Sequence, residues 1–325
     1  MTDSLMNLFS NSQMISGGDT VRQYLLKSIL QIVPVLFLIS IIVFVLVYVT
    51  GDPVSLMLSD TATDEDREIL IAALGLDQPM HIQYFRFLGN MLQGDFGTSF
   101  RYDMPALPIV LERLPATFEL AIAAMIVATV ISIPLGILSA TKRNSFLDIF
   151  VSGASVLGKA MPHFWLGIML ILLFAVEWKT LPVSGRGSWD HLILPAFTLG
   201  TGIAAEMTRL IRSSMLEILG QDYIRTARSK GLIETIVVYK HALRNSLIPV
   251  VTIMALQTST LIGGTLITET IFSWPGMGQL IIQAVNTRDM AIVQAAVFVV
   301  AFLVIVSNIL ADILYRVLDP RIKYN

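Results

Sequence analysis

Apolar residues run together in six long stretches of this chain, at residues 29–49, 115–138, 149–176, 192–211, 247–268 and 291–314. Each approximates the ~20 residues that a helix needs to cross a bilayer core. The pattern predicts an all-α polytopic membrane protein with six transmembrane helices. Between the first two stretches the pattern changes to that of a surface domain. Thr63 followed by Asp64, Glu65 and Asp66 starts a helix that Gly75 stops. Ile82, Phe85, Leu88 and Leu92 recur at helical spacing, which predicts an amphipathic helix over 81–92 ended by Gly94-Asp95-Phe96-Gly97. Several spans contain helix breakers, Pro34, Pro134, Pro162 and Pro195, which membrane helices tolerate at packed kinks or beside water-lined cavities.

Composition agrees with a membrane solvent: 54% of residues are hydrophobic and 14% charged, where soluble domains carry about a quarter charged. There is no cysteine, hence no disulfide framework and no thiolate ligand or nucleophile. Charge then orients the spans. The connections after the second, fourth and sixth spans, with Arg22 and Lys27 before the first, hold fourteen Lys/Arg against seven on the other side. The positive-inside rule therefore puts both termini in the cytoplasm. On this reading 1–28 is a cytosolic N-terminal tail and 29–50 the first transmembrane helix. An acidic extracytoplasmic insert at 51–114 follows, with ten Asp/Glu against four Lys/Arg. The remaining spans occupy 115–316 and a cytosolic tail 317–325.

The most informative stretch is the basic loop at 213–246, since Arg209 to Arg244 carries seven Lys/Arg against three acids in a chain of net charge −2. Gly231 tolerates a left-handed turn, so two short helices hinged there are expected. Charges inside spans are few. Lys159 and His163 stand at i,i+4, Glu206 and Arg209 at i,i+3, and Asp312 and Arg316 at i,i+4, spacings at which side chains on one helix meet. Intramembrane ionisable residues are candidates for a transport pathway. Lys159, Pro162, His163 and Glu206 are assigned to it, with Glu269 and Trp274 from the broken turn after the fifth span.

Catalytic patterns are missing. No Gly-x-x-x-x-Gly-Lys-Ser/Thr loop is present to hold a nucleotide triphosphate. The four histidines, 81, 163, 191 and 241, are dispersed and form no His-Glu-x-x-His zinc site. Gly153-Ala154-Ser155 begins a serine-protease-like pattern, but Val156 stands where a final Gly is needed. An intramembrane protease is thus disfavoured, and a channel would leave the basic loop without a task.

Residues 222–231 (DYIRTARSKG) and 241–245 (HALRN) resemble the cytoplasmic coupling loop of ABC importer permeases, most closely the peptide and nickel branch. Arg225, Thr226, His241 and Arg244 depart from the general loop motif and set the chain apart from sugar and amino-acid branches. Gly51-Asp52-Pro53, 74–79 (LGLDQP), 114–117 (LPAT), 269–278 (ETIFSWPGMG) and 318–321 (LDPR) also resemble that branch, so the likeness covers residues 22–324.

The resemblance implies the type I ABC importer permease fold, of the dipeptide/oligopeptide B type, in a bacterial or archaeal cytoplasmic membrane. It implies an ATP-driven, binding-protein-dependent importer of di- or oligopeptides, with nickel chelates as the alternative cargo. The chain itself is then non-catalytic and without cofactor. ATP and Mg²⁺ belong to two ABC ATPase subunits, which work with a sister permease and an extracytoplasmic solute-binding protein in the lipid bilayer, and nucleic acid has no part. Asp222, Tyr223, Arg225, Thr226, Ala227, Arg228, Gly231, His241, Leu243 and Arg244 become the ATPase-coupling residues. Thr226 and Ala227 are expected to enter a groove on the ATPase, with Arg225 and Arg228 on its rim.

Overall fold

The structure, a computed structural model, describes residues 30, 32–46, 54, 58 and 63–318. The expected N-terminal tail, the Gly51-Asp52-Pro53 turn and residues 319–325 lie outside the described residues.

Helix α1, Ile32–Leu46, is the described part of the first apolar stretch. The insert that follows folds as expected at its start. Thr63 caps α2, Asp64–Leu74, through a reciprocal box with Asp66, and Gly75 ends it in the left-handed conformation at φ 68°. Backbone and side-chain hydrogen bonds from Thr63 hold the Asp66 carboxyl below its ordinary pKa. Helix α3, Met80–Leu92, lies against α1: Tyr84 packs edge-on to Phe37 and Phe44, and its hydroxyl meets Ser40 at 2.8 Å. A two-stranded hairpin, β1 (Thr98–Ser99) and β2 (Met104–Pro105), leads into α4.

Helix α4 spans Ala106–Thr141 with Pro115 and Pro134 inside it. It therefore begins within the stretch assigned to the insert. Ala106, Ile109 and Val110 are buried against Met277, Leu280 and Ile292, so packing carries the helix through Pro115 despite the lost hydrogen bond. The third apolar stretch is two helices, α5 (Phe146–Ala160) and α6 (His163–Glu177), bent by 103° at the break. Pro162 lacks an amide hydrogen and disfavours helical geometry at Met161. The second half of α6, Ile171–Glu177, is π-helical.

Helix α7, Asp190–Leu219, runs against α4, α5, α6 and α9. Its approach to α4 depends on glycine: a Cβ at Gly200 would stand 2.8 Å from the Ala124 carbonyl oxygen, and one at Gly136 2.6 Å from Ile211. Small residues permit such helix contact in a bilayer, where apolar attraction between helices is weak. The short α8 is Asp222–Ser229. Helix α9, Glu234–Gly264, has a π-helical segment at Val237–Leu243. Helices α10 (Leu266–Ile271), α11 (Met277–Asn286) and α12 (Met290–Leu318) complete the chain.

The six apolar stretches fall in α1, α4, the α5–α6 pair, α7, α9 and α12. Among the described residues, length and apolarity alone qualify α4, α9 and α12, with the bent pair as a fourth. The expected tail from 317 begins while α12 is still helical.

Two apolar clusters organise the bundle. The larger joins Leu120 and Ala124 of α4, Met207 and Ile211 of α7, Ile224 of α8 and Val237 of α9. The smaller joins the hairpin region to α11 and α12 through Phe96, Val110, Leu280 and Ile292.

Candidate functional site

Helix α8 is amphipathic because Ile224 and Ala227, three apart, fall on one face. Both are buried in the larger core cluster, beside Val237, Val238 and Ala242. The outer face presents Asp222, Tyr223, Arg225 and Thr226 to solvent. Arg225 is 74% exposed, with Asp222 3.6 Å away. The Tyr223 hydroxyl accepts from Asn245 Nδ2 at 2.9 Å, tying α8 to α9.

Gly231 adopts φ 78° in the turn between α8 and α9, and a Cβ there would meet nothing within 4 Å. Its constraint is conformational and not spatial. Arg228 closes the same turn by two hydrogen bonds to Glu234, Nη2 to Oε1 at 2.7 Å and Nε to Oε2 at 3.1 Å. That pairing raises the Arg228 pKa above its ordinary value. His241 and Leu243 are half-buried in the π-helical segment, and Arg244 is exposed.

Three expectations change here. The second short helix is the beginning of the long α9. Ala227 packs inside this chain and does not project toward a partner, because the helix needs an apolar anchor of its own. Arg228 is engaged by Glu234 and so does not stand free as a rim cation.

The charges within the spans also pair differently from their spacing. The break at Pro162 separates Lys159 from His163, so they share no helix face. Lys159 Nζ instead reaches across to Glu206 Oε2 on α7 at 2.5 Å. Gln257 Nε2 of α9 donates to the same oxygen at 3.3 Å. Glu206 thus bonds Lys159 and Gln257 in place of the expected Arg209. The His163 ring fills the space over Gly202, with Nδ1 3.3 Å from the Thr198 carbonyl oxygen. The Lys159 and Glu206 side chains keep 52% and 29% of their surface open. Lys159, Pro162, His163 and Glu206 therefore gather around the bend, while the expected Asp312–Arg316 pair reaches beyond the described side chains.

Glu269 and Trp274 do not join that group. Glu269 has no exposed surface. Its Oε1 accepts from Thr117 at 2.9 Å and Thr265 at 2.8 Å, and its Oε2 from the backbone amides of Gly278 at 2.7 Å and Gln279 at 3.2 Å. The carboxylate sits at the N-terminus of α11, where free amides and the helix dipole favour an anion. Trp274 is buried and donates from Nε1 to the Ala116 carbonyl at 2.8 Å. Their assignment to a pathway is corrected: both hold the α10–α11 turn onto α4.

Sequence reasoning missed a second sealed charge. Asp148 is 5% exposed and takes two hydrogen bonds from Arg212, at 2.7 and 2.9 Å, besides Ser139 and the Asn144 amide. An acid placed just after the basic Lys142-Arg143 turn was the available signal.

Residues 132–324 match the family model of the binding-protein-dependent transport system inner membrane component, and 21–121 match the N-terminal model of the same membrane components. The oligopeptide transport system permease protein AppB of Bacillus subtilis is 42% identical over 313 residues, covering 93% of this chain and 99% of that protein. The dipeptide transport system permease protein DppB of Escherichia coli K12 is 41% identical over 335 aligned residues, with the same coverage of each chain. The glutathione transport system permease protein GsiC of the same strain is 40% identical over 302, again covering 93% and 99%. In fold, the chain is similar to the inward-facing MetNI methionine ABC transporter, at TM-score 0.54 and 20% identity over 65% of this chain and 96% of that one.

Proposed function

This chain belongs to the binding-protein-dependent transport system inner membrane components, and from that premise we propose that it is the permease of an importer for short peptides. The observation that carries the reading is near-full-length identity of 40–42% to three permeases whose names specify oligopeptides, dipeptides and glutathione, all of them peptides. That common cargo favours peptides over nickel chelates. As a multi-pass, non-catalytic subunit, the chain takes its energy from elsewhere.

The partners are a sister permease, two ATPase subunits that bind ATP and Mg²⁺, and a solute-binding protein on the far side. Both termini face the cytoplasm, an orientation supported by the excess of Lys/Arg on that side. The outward face of α8, from Asp222 through Arg225 and Thr226, docks on an ATPase subunit. Because Ile224 and Ala227 anchor α8 to the core, and Arg228–Glu234 braces its turn, displacement of α8 passes into α9 and α7. A two-state element biased by both sites is what coupling requires. Here α8 and the spans it is fastened to form that element. Lys159, Pro162, His163 and Glu206 face the cavity shared with the sister permease.

The test is uptake by proteoliposomes holding the full complex and its binding protein. Di- to pentapeptides and nickel chelates are offered with and without ATP. ATP-dependent accumulation of peptide is expected. Accumulation of nickel chelate alone, or uptake that ignores ATP, would overturn the reading.

A further inference from the structure

We propose that Glu206 is a subsite for the N-terminal ammonium of the passing peptide, with Lys159 as the counter-ion that the peptide displaces. The inference rests on the peptide reading above and adds to it the part of the substrate that is recognised. Two other acid–base pairs among the described residues are sealed or lie at a rim. Asp148–Arg212 has an acid 5% exposed, and Glu119–Arg186 joins α4 to the polar loop before α7. Lys159–Glu206 differs from both: it combines a place at a helix break, a partner for Glu206 on each of two neighbouring helices, and substantial open surface on both members.

The two members are not equivalent. Glu206 stands in the middle of α7 and has a second donor, Gln257 Nε2 at 3.3 Å, which holds the carboxylate in place when Lys159 leaves. Lys159 lies in the last turn of α5, beside the bend at Pro162, and is the more exposed at 52%. A flexible four-carbon stem lets its ammonium swing without backbone motion. An entering peptide ammonium replaces one cation on Glu206 by another, so the site's charge is conserved and no carboxylate is stranded in the span. The released Lys159 is then free to follow the peptide's carboxylate. Net neutrality at rest also keeps the site from holding simple ions of either sign.

The decisive variant exchanges the pair, Lys159→Glu with Glu206→Lys, in the complete transporter with its binding protein. Uptake of a peptide that wild type accumulates is read per assembled complex, counted from the ATPase subunits that co-purify. A pair that only joins α5 to α7 works in either order, so uptake would recover in the exchange. A subsite for an ammonium group does not, and uptake at least tenfold below wild type is expected. Should the exchanged chain fail to assemble, Glu206→Gln decides, since the amide keeps the shape and loses the charge. There too a tenfold loss per complex is expected, relieved in part by Glu206→Asp. Uptake equal to wild type in the exchange or in Glu206→Gln overturns the subsite while leaving the importer standing. A wild-type complex that moves no peptide would instead overturn the reading beneath it.

Discussion

Glu206 and Glu269 are both glutamates deep in this bundle, yet their surroundings differ in kind. Four donors surround Glu269, two hydroxyls and two backbone amides, and no surface is left open. Glu206 has one cation and one amide, and 29% of its side chain is open. A carboxylate whose lone pairs are all spoken for is part of the scaffold, because any competing ligand would have to displace several hydrogen bonds at once. One held by a single half-exposed cation at a helix break has fewer bonds to give up. Burial and the number of donors, more than the presence of charge, separate these two glutamates.

Loss of a partner is felt most at the other sealed charge, Asp148. Arg212→Met leaves Asp148 buried without its cation, a loss of about 3–5 kcal/mol. Thermal unfolding of the detergent-solubilised complex is expected to show it as a large fall in Tm, with little folded chain recovered.

Next is Glu269→Gln, whose carbonyl oxygen can still take the Gly278 and Gln279 amides but whose nitrogen cannot accept from the Thr117 and Thr265 hydroxyls. Leaving such a donor unsatisfied costs about 1–3 kcal/mol. Yield of complex is expected to fall while uptake per complex is kept, and a selective loss of uptake would move Glu269 back to the pathway.

Gly231→Val follows, at roughly 1–2 kcal/mol for a side chain in the left-handed turn. Because nothing touches a Cβ there, the effect is expected in co-purification of ATPase subunits and in uptake more than in the spans' stability. Smallest is Arg225→Ala: its exposed pair with Asp222 contributes about 0–1 kcal/mol, and ATPase association is expected to weaken less than tenfold in a pull-down titration.

The fold was legible where a local pattern decides it. The Thr63–Asp66 cap, the left-handed stops at Gly75 and Gly231 and the helical spacing of 81–92 all appear where the residues put them. What spacing could not reveal was the choice of partner between helices. Lys159 at i,i+4 from His163 looks like a pair on a straight helix, and only the 103° bend turns it toward α7. Glu269 is assigned to the pathway only as part of the broken turn after the fifth span. Its role depends on amides of α11 brought back onto it by the turn through Pro275 and Gly276. Ala227 was placed on the wrong face for a similar reason, since a short helix's inner side is set by what α9 offers it.

The cysteine-free chain permits a direct test of the central claim, that Glu206 borders water and Glu269 does not. Gln257→Cys puts a thiol beside Glu206, and Thr117→Cys puts one beside Glu269 with little change of shape. In the assembled transporter, reaction with a small water-soluble thiol reagent is followed with and without nucleotide. The account predicts that the thiol at 257 reacts in at least one nucleotide state and is slowed by transported peptide, while the thiol at 117 stays silent until the protein is denatured. Equal reaction at both positions, or silence at 257 in every state, would contradict it.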